Sequence, residues 1–277
     1  MVSRMPGSHG GRALAGAPES PVDIPAALID VVGGRRLRPV WANELGGLTF
    51  EVDADDVRWF VKWAPAGSQA DLSAEAARAR WAILHCAVPR VLAVGADAEG
   101  SWLLTEALPG SNAVVERWKR EPRTAVTAIG EGLRQLHESV PVDQCPFTWS
   151  VADRVEVARS RARQGRLDPG LWHADHGDLT IADALAVLAD PPEIDQFVVC
   201  HGDACAPNTL IDDDGTCAGH VDLGALGVAD RWADLAIATW STNWNYGPGW
   251  EKTLLDAYGI GSDSERTRYY RVLWDLT

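Results

Sequence analysis

Hydrophobic and polar positions change their period part-way along the chain. Between residues 37 and 107 the apolar residues come in short runs rich in β-branched and aromatic side chains, such as LTFEVDA and VRWFVKWAP, broken by Gly-Gly and Asp-Ala-Asp-Asp. This pattern is typical of antiparallel strands. A short helix is predicted before them over residues 24–33, and a strong helix interrupts them over residues 71–86, with Ser73 as its predicted N-cap.

After Leu108-Pro109-Gly110 the period becomes helical. Apolar residues recur every three to four positions over 123–140, 151–164 and 180–189, and Thr180 with Asp183 resembles a capping box. A strand, a loop and a hairpin follow in QFVVCHGDACAPNTLIDDDGTCAGHVDLG, and helix continues to the end.

The change of period predicts an α+β fold with two lobes, an antiparallel sheet with a helix in the first and mainly helices with a hairpin in the second. We predict a flexible tail over 1–23, an N-terminal lobe over 24–106 and a C-terminal lobe over 107–277.

Composition excludes several classes of protein. The net charge of −14 argues against a nucleic-acid partner, because phosphate backbones are held by clustered Lys and Arg. No apolar run is long enough for a membrane span, and the N-terminus does not resemble a secretory signal. The five cysteines include no CxxC pair, which argues against a disulfide framework and a structural zinc site. We expect a cytoplasmic monomer.

The tripeptide His-Gly-Asp occurs twice. In the first copy, His176-Gly177-Asp178, Asp178 is interpreted as stabilising the N-terminus of the helix that starts near Thr180. A metal cluster of His173, Asp175, His176 and Asp178 is the alternative, but this loop lacks regular ligand spacing.

The second copy, His201-Gly202-Asp203, follows an apolar strand and precedes Asn208 and Asp222. The hairpin between Asn208 and Asp222 returns the chain on itself, so these side chains should lie near Asp203. Phosphoryl transfer needs such a set: Asp203 would accept the proton of the attacking hydroxyl, and Asn208 and Asp222 would bind Mg²⁺. The alternative is that all three are turn or loop residues.

A lysine in an apolar strand supports the same chemistry. Only three of the 25 basic residues are lysines, and Lys62 lies within RWFVKWAP. Kinases use a strand lysine on the nucleotide phosphates, oriented by a helix glutamate, and Glu75 is suitably placed. The alternative is a solvent-facing lysine on an edge strand.

The motifs CHGDACAPNTLI, HVDLGALGVADRWADLAIA and LLDAYGI resemble those of the aminoglycoside O-phosphotransferases of the 3′ and 3″ types. The likeness extends upstream through FVKWAPAG, EAARARW and WLLTEALPG and covers roughly residues 40–277. It implies a protein-kinase-like fold, ATP as phosphoryl donor with GTP as the alternative, Mg²⁺, and the roles already assigned to Asp203, Asn208, Asp222, Lys62 and Glu75.

The resemblance also implies a nucleotide site in the N-terminal lobe. Phe60 occupies the position of an aromatic ring that stacks on adenine. The backbone of Thr105, Glu106 and Ala107 would bind the adenine edge. The segment 44–49, with Gly46 and Gly47, would cover the phosphates.

On the acceptor side the resemblance implies a pocket lined with carboxylates for a cationic antibiotic. The residues expected to contact the antibiotic are Asp168, Asp175, Asn243, Asp275 and the terminal Thr277. Trp244 and Asn245 stand where acids are common in the family, and Ala225 stands where the family usually has Arg.

The sequence therefore predicts an ATP- and Mg²⁺-dependent kinase that phosphorylates an aminoglycoside and confers resistance. It does not separate a kanamycin-type 3′ from a streptomycin-type 3″ enzyme. Two alternatives stay open: a kinase of the same fold acting on a cellular metabolite or another antibiotic, and a kinase-like protein that binds nucleotide without catalysis.

Overall fold

A computed structural model describes residues 15–18, 20–43, 46–54 and 57–277. The chain forms two lobes, an antiparallel sheet with two helices and a larger helical part, as the change of period predicts. The flexible tail predicted over 1–23 falls largely outside the described residues, although Ala15–Gly16 pairs with the next strand as β1. No helix in the described ranges is both long and apolar enough to cross a bilayer.

The first lobe is built on a six-stranded sheet in the order β1-β2-β3-β4-β6-β5, with every neighbouring pair antiparallel. Its strands after β1 are β2 (Leu37–Asn43), β3 (Leu48–Ala54), β4 (Val57–Pro65), β5 (Val91–Ala96) and β6 (Gly100–Glu106). Two helices accompany it, α1 (Ala26–Val31) and α2 (Leu72–Ala82).

Alternation along the strands gives this sheet two apolar faces. Phe50, Val61 and Leu104 pack with Leu28 of α1. The neighbouring Leu103 belongs to a separate cluster that includes residues of α2. The two helices therefore contribute to different clusters, and α2 is fixed beside the strand that carries Lys62.

Helix α2 begins and ends differently from the prediction. Its N-cap is Asp71, whose carboxylate accepts a hydrogen bond from the backbone of Ala74 at 2.8 Å, so the assignment of Ser73 as the cap is wrong. A carboxylate also interacts favourably with the exposed N–H groups of the first turn. The helix ends at Ala82, four residues before the predicted end.

Strand β6 ends at Glu106, and the division of the chain after that residue stays a prediction. The helices of the second lobe are α3 (Glu116–Arg120), α4 (Pro122–Ser139), α5 (Val151–Arg163), α6 (Ile181–Leu188), α7 (Trp232–Tyr246), α8 (Glu251–Tyr258) and α9 (Ser264–Leu276). Its strands are β7 (Ser111–Asn112), β8 (Phe197–Cys200), β9 (Thr209–Ile211), β10 (Cys217–His220) and β11 (Gly227–Asp230).

One large hydrophobic core holds this lobe together. It joins buried residues of α4, α7, α8 and α9 with both strands of the β8–β11 pair. Trp118 and Trp232 are among its largest fully buried side chains. Because β8 lies within this core, the loop that follows it is attached to a rigid support.

Candidate active site

Lys62 lies at the centre of a three-residue ion cluster. It is on β4, an interior strand between β3 and β6, so the alternative of an edge-strand lysine is wrong. Its Nζ lies 2.6 Å from Oε1 of Glu75 on α2 and 3.0 Å from Oδ1 of Asp222. The structure thus places Glu75 beside Lys62, and the roles predicted for the pair stay predictions.

Charge and burial set the protonation of this cluster. Burial alone would lower the pKa of Lys62, but the carboxylates of Asp222 and Glu75 outweigh it and raise the pKa above its ordinary value. Burial would raise the pKa of Asp222, and Lys62 reverses that effect and lowers it. The lysine is therefore a cation, and Asp222 is an anion at neutral pH.

The predicted hairpin forms and brings the second His-Gly-Asp to the same place. Strands β9 and β10 pair antiparallel, with Thr209 opposite His220, and the backbone N–H of Val221 donates to the carbonyl of Asn208 at 2.9 Å. Asp222 follows directly, with φ of 65°, an uncommon left-handed conformation for a residue other than glycine. This backbone strain at a charged residue is typical of a functional site.

Asn208 is tied to the loop that carries Asp203. Its Nδ2 donates to the backbone carbonyl of Asp203 at 2.9 Å, which leaves its side-chain oxygen as the atom that can bind a cation. Asp203 itself is 2% exposed. Oxygen atoms of Asn208 and Asp222 are the ligand type that Mg²⁺ prefers, and both residues line one cavity, so the chemistry of these donors fits Mg²⁺.

His201 has a structural role in this loop. Its Nδ1 accepts from the backbone N–H of Asp203 at 3.2 Å, so Nε2 carries the proton and donates to the carbonyl of Val221 at 2.9 Å. The ring therefore links the Asp203 loop to the residue before Asp222.

Asp234 supports the same loop, and the sequence analysis missed it. Its carboxylate is fully buried and accepts from the backbone N–H groups of His201 at 2.5 Å and Gly202 at 2.9 Å. Nε2 of His137 donates to it at 3.0 Å, and Nδ1 of His137 accepts from the hydroxyl of Tyr258 at 2.9 Å. An acid inside the apolar run ADLAIA was the one signal of this role.

A cavity of about 430 Å³ separates the lobes beside these groups. Phe60, Thr105, Glu106 and Ala107 line it, as does Trp41 of β2. The backbone N–H groups of Glu106 and Ala107 donate to the carbonyls of Arg90 and Arg58. The next backbone N–H group along the chain is that of Leu108, and the residue after it, Pro109, has none.

The predicted phosphate-covering segment is described only in part, since Glu44 and Leu45 lie outside the described residues. Gly46 has φ of 80°, and the backbone N–H of Gly47 donates to Oδ1 of Asn43 at 2.8 Å. A Cβ on Gly47 would lie 2.6 Å from Nδ2 of Asn43 and would displace that side chain, while the positive φ of Gly46 favours glycine there.

The two predicted acceptor-side carboxylates in the loop of the first His-Gly-Asp are exposed. Asp168 accepts from the backbone of Gly170 at 2.9 Å and so shapes its own turn. Oδ2 of Asp175 accepts from Nε1 of Trp240 at 3.3 Å, and this side chain is 58% exposed.

The remaining predicted acceptor residues are bound to other parts of the protein. Asp275 is 5% exposed, and its Oδ2 lies 2.6 Å from Nδ1 of His176. The main-chain oxygen of Thr277 accepts from Arg161 at 2.7 Å. Nδ2 of Asn243 donates to Glu251 at 2.8 Å.

Aromatic rings fill the space between these carboxylates and the Asp203 loop. Trp240 packs with Cys205, two residues after Asp203, and its ring centre lies 4.3 Å from that of His173 and 5.2 Å from that of Trp244. We call His173, Trp240 and Trp244 the ring cluster. Burial lowers the pKa of His173, so the cluster is uncharged at neutral pH.

Asp178 does not cap the following helix. It is exposed, and the capping box consists of Thr180 and Asp183, whose side chains each accept from the other's backbone, at 3.2 and 3.1 Å. The interpretation of Asp178 as the stabilising acid is therefore wrong, and the capping box predicted from Thr180 and Asp183 is confirmed.

Comparison with known proteins agrees with this geometry. The profile of the phosphotransferase enzyme family matches residues 38–270. The chain belongs to this family. Among curated relatives of this phosphotransferase, the aminoglycoside 3′-phosphotransferase of Streptomyces fradiae is 40% identical over 221 residues, which are 76% of this chain and 81% of the relative. The streptomycin 3″-kinase of Streptomyces griseus is 35% identical over 89% of this chain and 93% of its own.

Solved structures show the same fold. The aminoglycoside phosphotransferase APH(3″)-Id of Streptomyces rimosus, in complex with ADP and streptomycin, has a TM-score of 0.72 and 31% identity, over 90% of this chain and 95% of its own. An aminoglycoside 3′-phosphotransferase of type VIII has a TM-score of 0.79 and 30% identity, over 91% and 97%. The predicted kinase-like α+β fold and membership of the aminoglycoside O-phosphotransferases are confirmed, and the protein is an enzyme of this class.

Proposed function

We propose that this phosphotransferase uses ATP and Mg²⁺ to phosphorylate the 3′ or 3″ hydroxyl of an aminoglycoside and so confers resistance to it. The observation that carries the proposal is the arrangement around one cavity. Lys62, Asn208 and Asp222 line it together, and Asn208 is hydrogen-bonded to Asp203. Each group has the chemistry that its step in phosphoryl transfer requires.

In the proposed reaction the acceptor hydroxyl oxygen forms a bond to the γ-phosphorus of ATP. The bond from that phosphorus to the β–γ bridging oxygen breaks, and ADP leaves. The carboxylate of Asp203 orients the hydroxyl and takes its proton. Asn208 and Asp222 would hold Mg²⁺, which would supply positive charge to neutralise the phosphates.

Lys62 would bind the α- and β-phosphates, and Glu75 would hold it in place through their 2.6 Å contact. Phe60 would stack on the base. Thr105, Glu106 and Ala107 line the cavity, but two of their N–H groups are already used, so we assign the donor for the base edge to Leu108. GTP is the alternative donor, and competition between ATP and GTP measures the choice.

On the acceptor side the exposed carboxylates Asp168 and Asp175 would attract the ammonium or guanidinium groups of the antibiotic. Asp275, Asn243 and Thr277 would act mainly by shaping the pocket, since each is already bound to another residue. The relatives include enzymes named for 3′ and for 3″ phosphorylation, so both types stay in the proposal.

One observation favours a second candidate, a less cationic acceptor such as a cellular metabolite or another antibiotic. The uncharged ring cluster includes Trp244, which stands where acids are common in the family, and its indole rings offer flat surfaces for a sugar ring. The alternative of a non-catalytic nucleotide-binding protein has less support, because every charged group that catalysis requires is present near the cavity.

The first experiment measures Mg²⁺-dependent ADP release with kanamycin and streptomycin offered separately, for the wild type, Asp203→Asn and Asp178→Asn. We expect one antibiotic to stimulate turnover, Asp203→Asn to lower kcat about 10²–10⁴-fold, and Asp178→Asn to leave it within about twofold. Binding of ATP without stimulation by either antibiotic would reject the aminoglycoside proposal and favour the second candidate.

We also propose that the enzyme works as a cytoplasmic monomer. All five cysteines are described and none forms a disulfide, which suits a reducing compartment. Burial raises the pKa of Cys205 beside the catalytic loop well above its ordinary value, so this thiol is unreactive. Light scattering on the purified protein measures the oligomeric state.

A further inference from the structure

Arg78 connects α2 of the first lobe to the second lobe. It lies one turn after Glu75 and is half-buried. Its Nε donates to the backbone carbonyl of Leu226 at 2.9 Å, and its guanidinium carbon lies 4.9 Å from the ring centre of Phe147. One side chain thus makes a hydrogen bond and a cation–π contact across the cleft.

The carbonyl that Arg78 contacts belongs to the segment that begins at Asp222. Leu226 is fully buried, four residues after Asp222. Two residues further on, the N–H of Val228 donates to the carbonyl of Phe147 at 2.9 Å, and the carbonyl of Val228 accepts from Trp149 at 3.0 Å. The segment 222–228 is therefore fixed at its far end by backbone pairing and in its middle by Arg78.

Helix α2 holds this segment by two routes. The first passes from Glu75 through Lys62 to Asp222, with contacts of 2.6 and 3.0 Å. The second is the bond from Arg78 to Leu226. Within the proposed function, nucleotide binding breaks the first route, because Lys62 turns to the phosphates and Asp222 to the cation. The second route does not involve either group.

We propose that Arg78 is a positioning residue that keeps the segment 222–228 against α2 once Lys62 has released Asp222. This inference rests on the proposed metal–nucleotide site. It assigns to Arg78 a role that appears only in the loaded enzyme: keeping Asp222 in the place from which it binds the cation. The neighbouring Ala225 offers no side chain that could do this.

The test is calorimetric binding of the non-hydrolysable nucleotide AMP-PNP, with and without Mg²⁺, to the wild type, Arg78→Ala and Arg80→Ala. Arg80 is exposed on the same helix, so its substitution matches the change in charge and helix propensity. We expect Arg78→Ala to weaken Mg²⁺-dependent binding about tenfold, as loss of a charged hydrogen bond implies, and Mg²⁺-free binding less than about twofold. Arg80→Ala should change neither.

Equal weakening with and without Mg²⁺, or no weakening, would overturn the inference. Arg78→Lys keeps the charge without the planar guanidinium and should give an intermediate loss, which keeps the test valid if Arg78→Ala unfolds. Hydrogen exchange of residues 223–227 should rise in Arg78→Ala only when nucleotide is bound. If the wild type shows no Mg²⁺-dependent binding of AMP-PNP, the proposed function fails as well. If the wild type binds with Mg²⁺ dependence and Arg78→Ala binds with the same affinity, only the inference about Arg78 is rejected.

Discussion

His176-Gly177-Asp178 and His201-Gly202-Asp203 have the same three residues in very different surroundings. In the first copy the histidine is buried against Asp275, and the aspartate is exposed two residues before the N-cap of α6. In the second copy the histidine links two backbone segments, and its aspartate is 2% exposed.

The glycines show the difference most clearly. Gly202 has φ of 82°, and a Cβ on it would lie 2.2 Å from the carbonyl oxygen of Ala225. Gly177 has φ of −62°, and the nearest atom to its Cβ would be 3.4 Å away. One position excludes every other residue, and the other accepts alanine. The strand before the second copy and the buried Asp234 that binds its backbone hold this tripeptide in place, and within the described part of the chain the first copy has no such support.

The largest effect should come from Asp234, the buried acid that binds the backbone of the second copy. Asp234→Asn replaces one acceptor oxygen with an NH₂ group facing N–H donors, so we expect a loss of about 3–5 kcal/mol in unfolding free energy and a large fall in kcat. Asp275→Asn is the matched change behind the first copy. It should cost about 1–3 kcal/mol and leave kcat nearly unchanged. Urea unfolding with steady-state kinetics measures both, and equal falls in kcat would contradict the comparison.

The second largest difference between the two copies should come from replacing Gly202 and Gly177 with alanine and comparing the unfolding free energies. Gly202→Ala introduces backbone strain and a clash, for an expected cost of about 2–4 kcal/mol with loss of activity. Gly177→Ala should be neutral or stabilise by about 0.4–1 kcal/mol, because alanine fits its conformation. Urea unfolding of each variant measures the difference. Unchanged stability in Gly202→Ala would show that the Asp203 loop is not held as tightly as described.

His220, which lies beside His201 of the second copy, should make the unfolding free energy depend on pH. The ring of His220 lies 5.7 Å from that of His201, and burial lowers its pKa to about 3. The unfolded chain takes up this proton near its ordinary pKa and the folded chain does not, so stability falls as pH drops between about 6.5 and 3, by up to about 1.4 kcal/mol per pH unit. Unfolding free energies of the wild type and His220→Asn across this range test it, and parallel curves would contradict it.

The smallest predicted effect distinguishes the roles of Thr180 and Asp178 before α6. Thr180→Ala removes the cap of α6 and should cost about 1 kcal/mol. Asp178→Asn should change stability by less than about 0.5 kcal/mol, because this side chain is exposed. Thermal unfolding of both variants compares them, and the reverse order would restore Asp178 as the stabilising acid.

Contacts between segments that are close together in the sequence could be predicted. The hairpin between Asn208 and Asp222 is short and marked by its turn, and β4 with α2 places Lys62 beside Glu75. The spatial convergence of these groups was therefore predictable, while their catalytic roles stay predictions.

Contacts between distant segments could not be predicted from local patterns. Asp234 lies 33 residues from His201, and Leu226 lies 148 residues from Arg78. Hydrophobic period determines which face of a helix is buried, but it does not determine which backbone group meets a charged side chain. Ser73 failed as a cap for a local reason, since Asp71 begins the helix two residues earlier.

The placement of tryptophans gives the enzyme built-in optical reporters. Trp41 lines the cavity proposed for the nucleotide, and Trp244 lies in the ring cluster, which packs with Cys205 of the Asp203 loop. Indole emission responds to the polarity around the ring, so nucleotide and acceptor should change the fluorescence of different residues. Trp41→Phe and Trp244→Phe would divide the signal, and the order in which the two ligands bind could then be followed in stopped-flow mixing without an added dye.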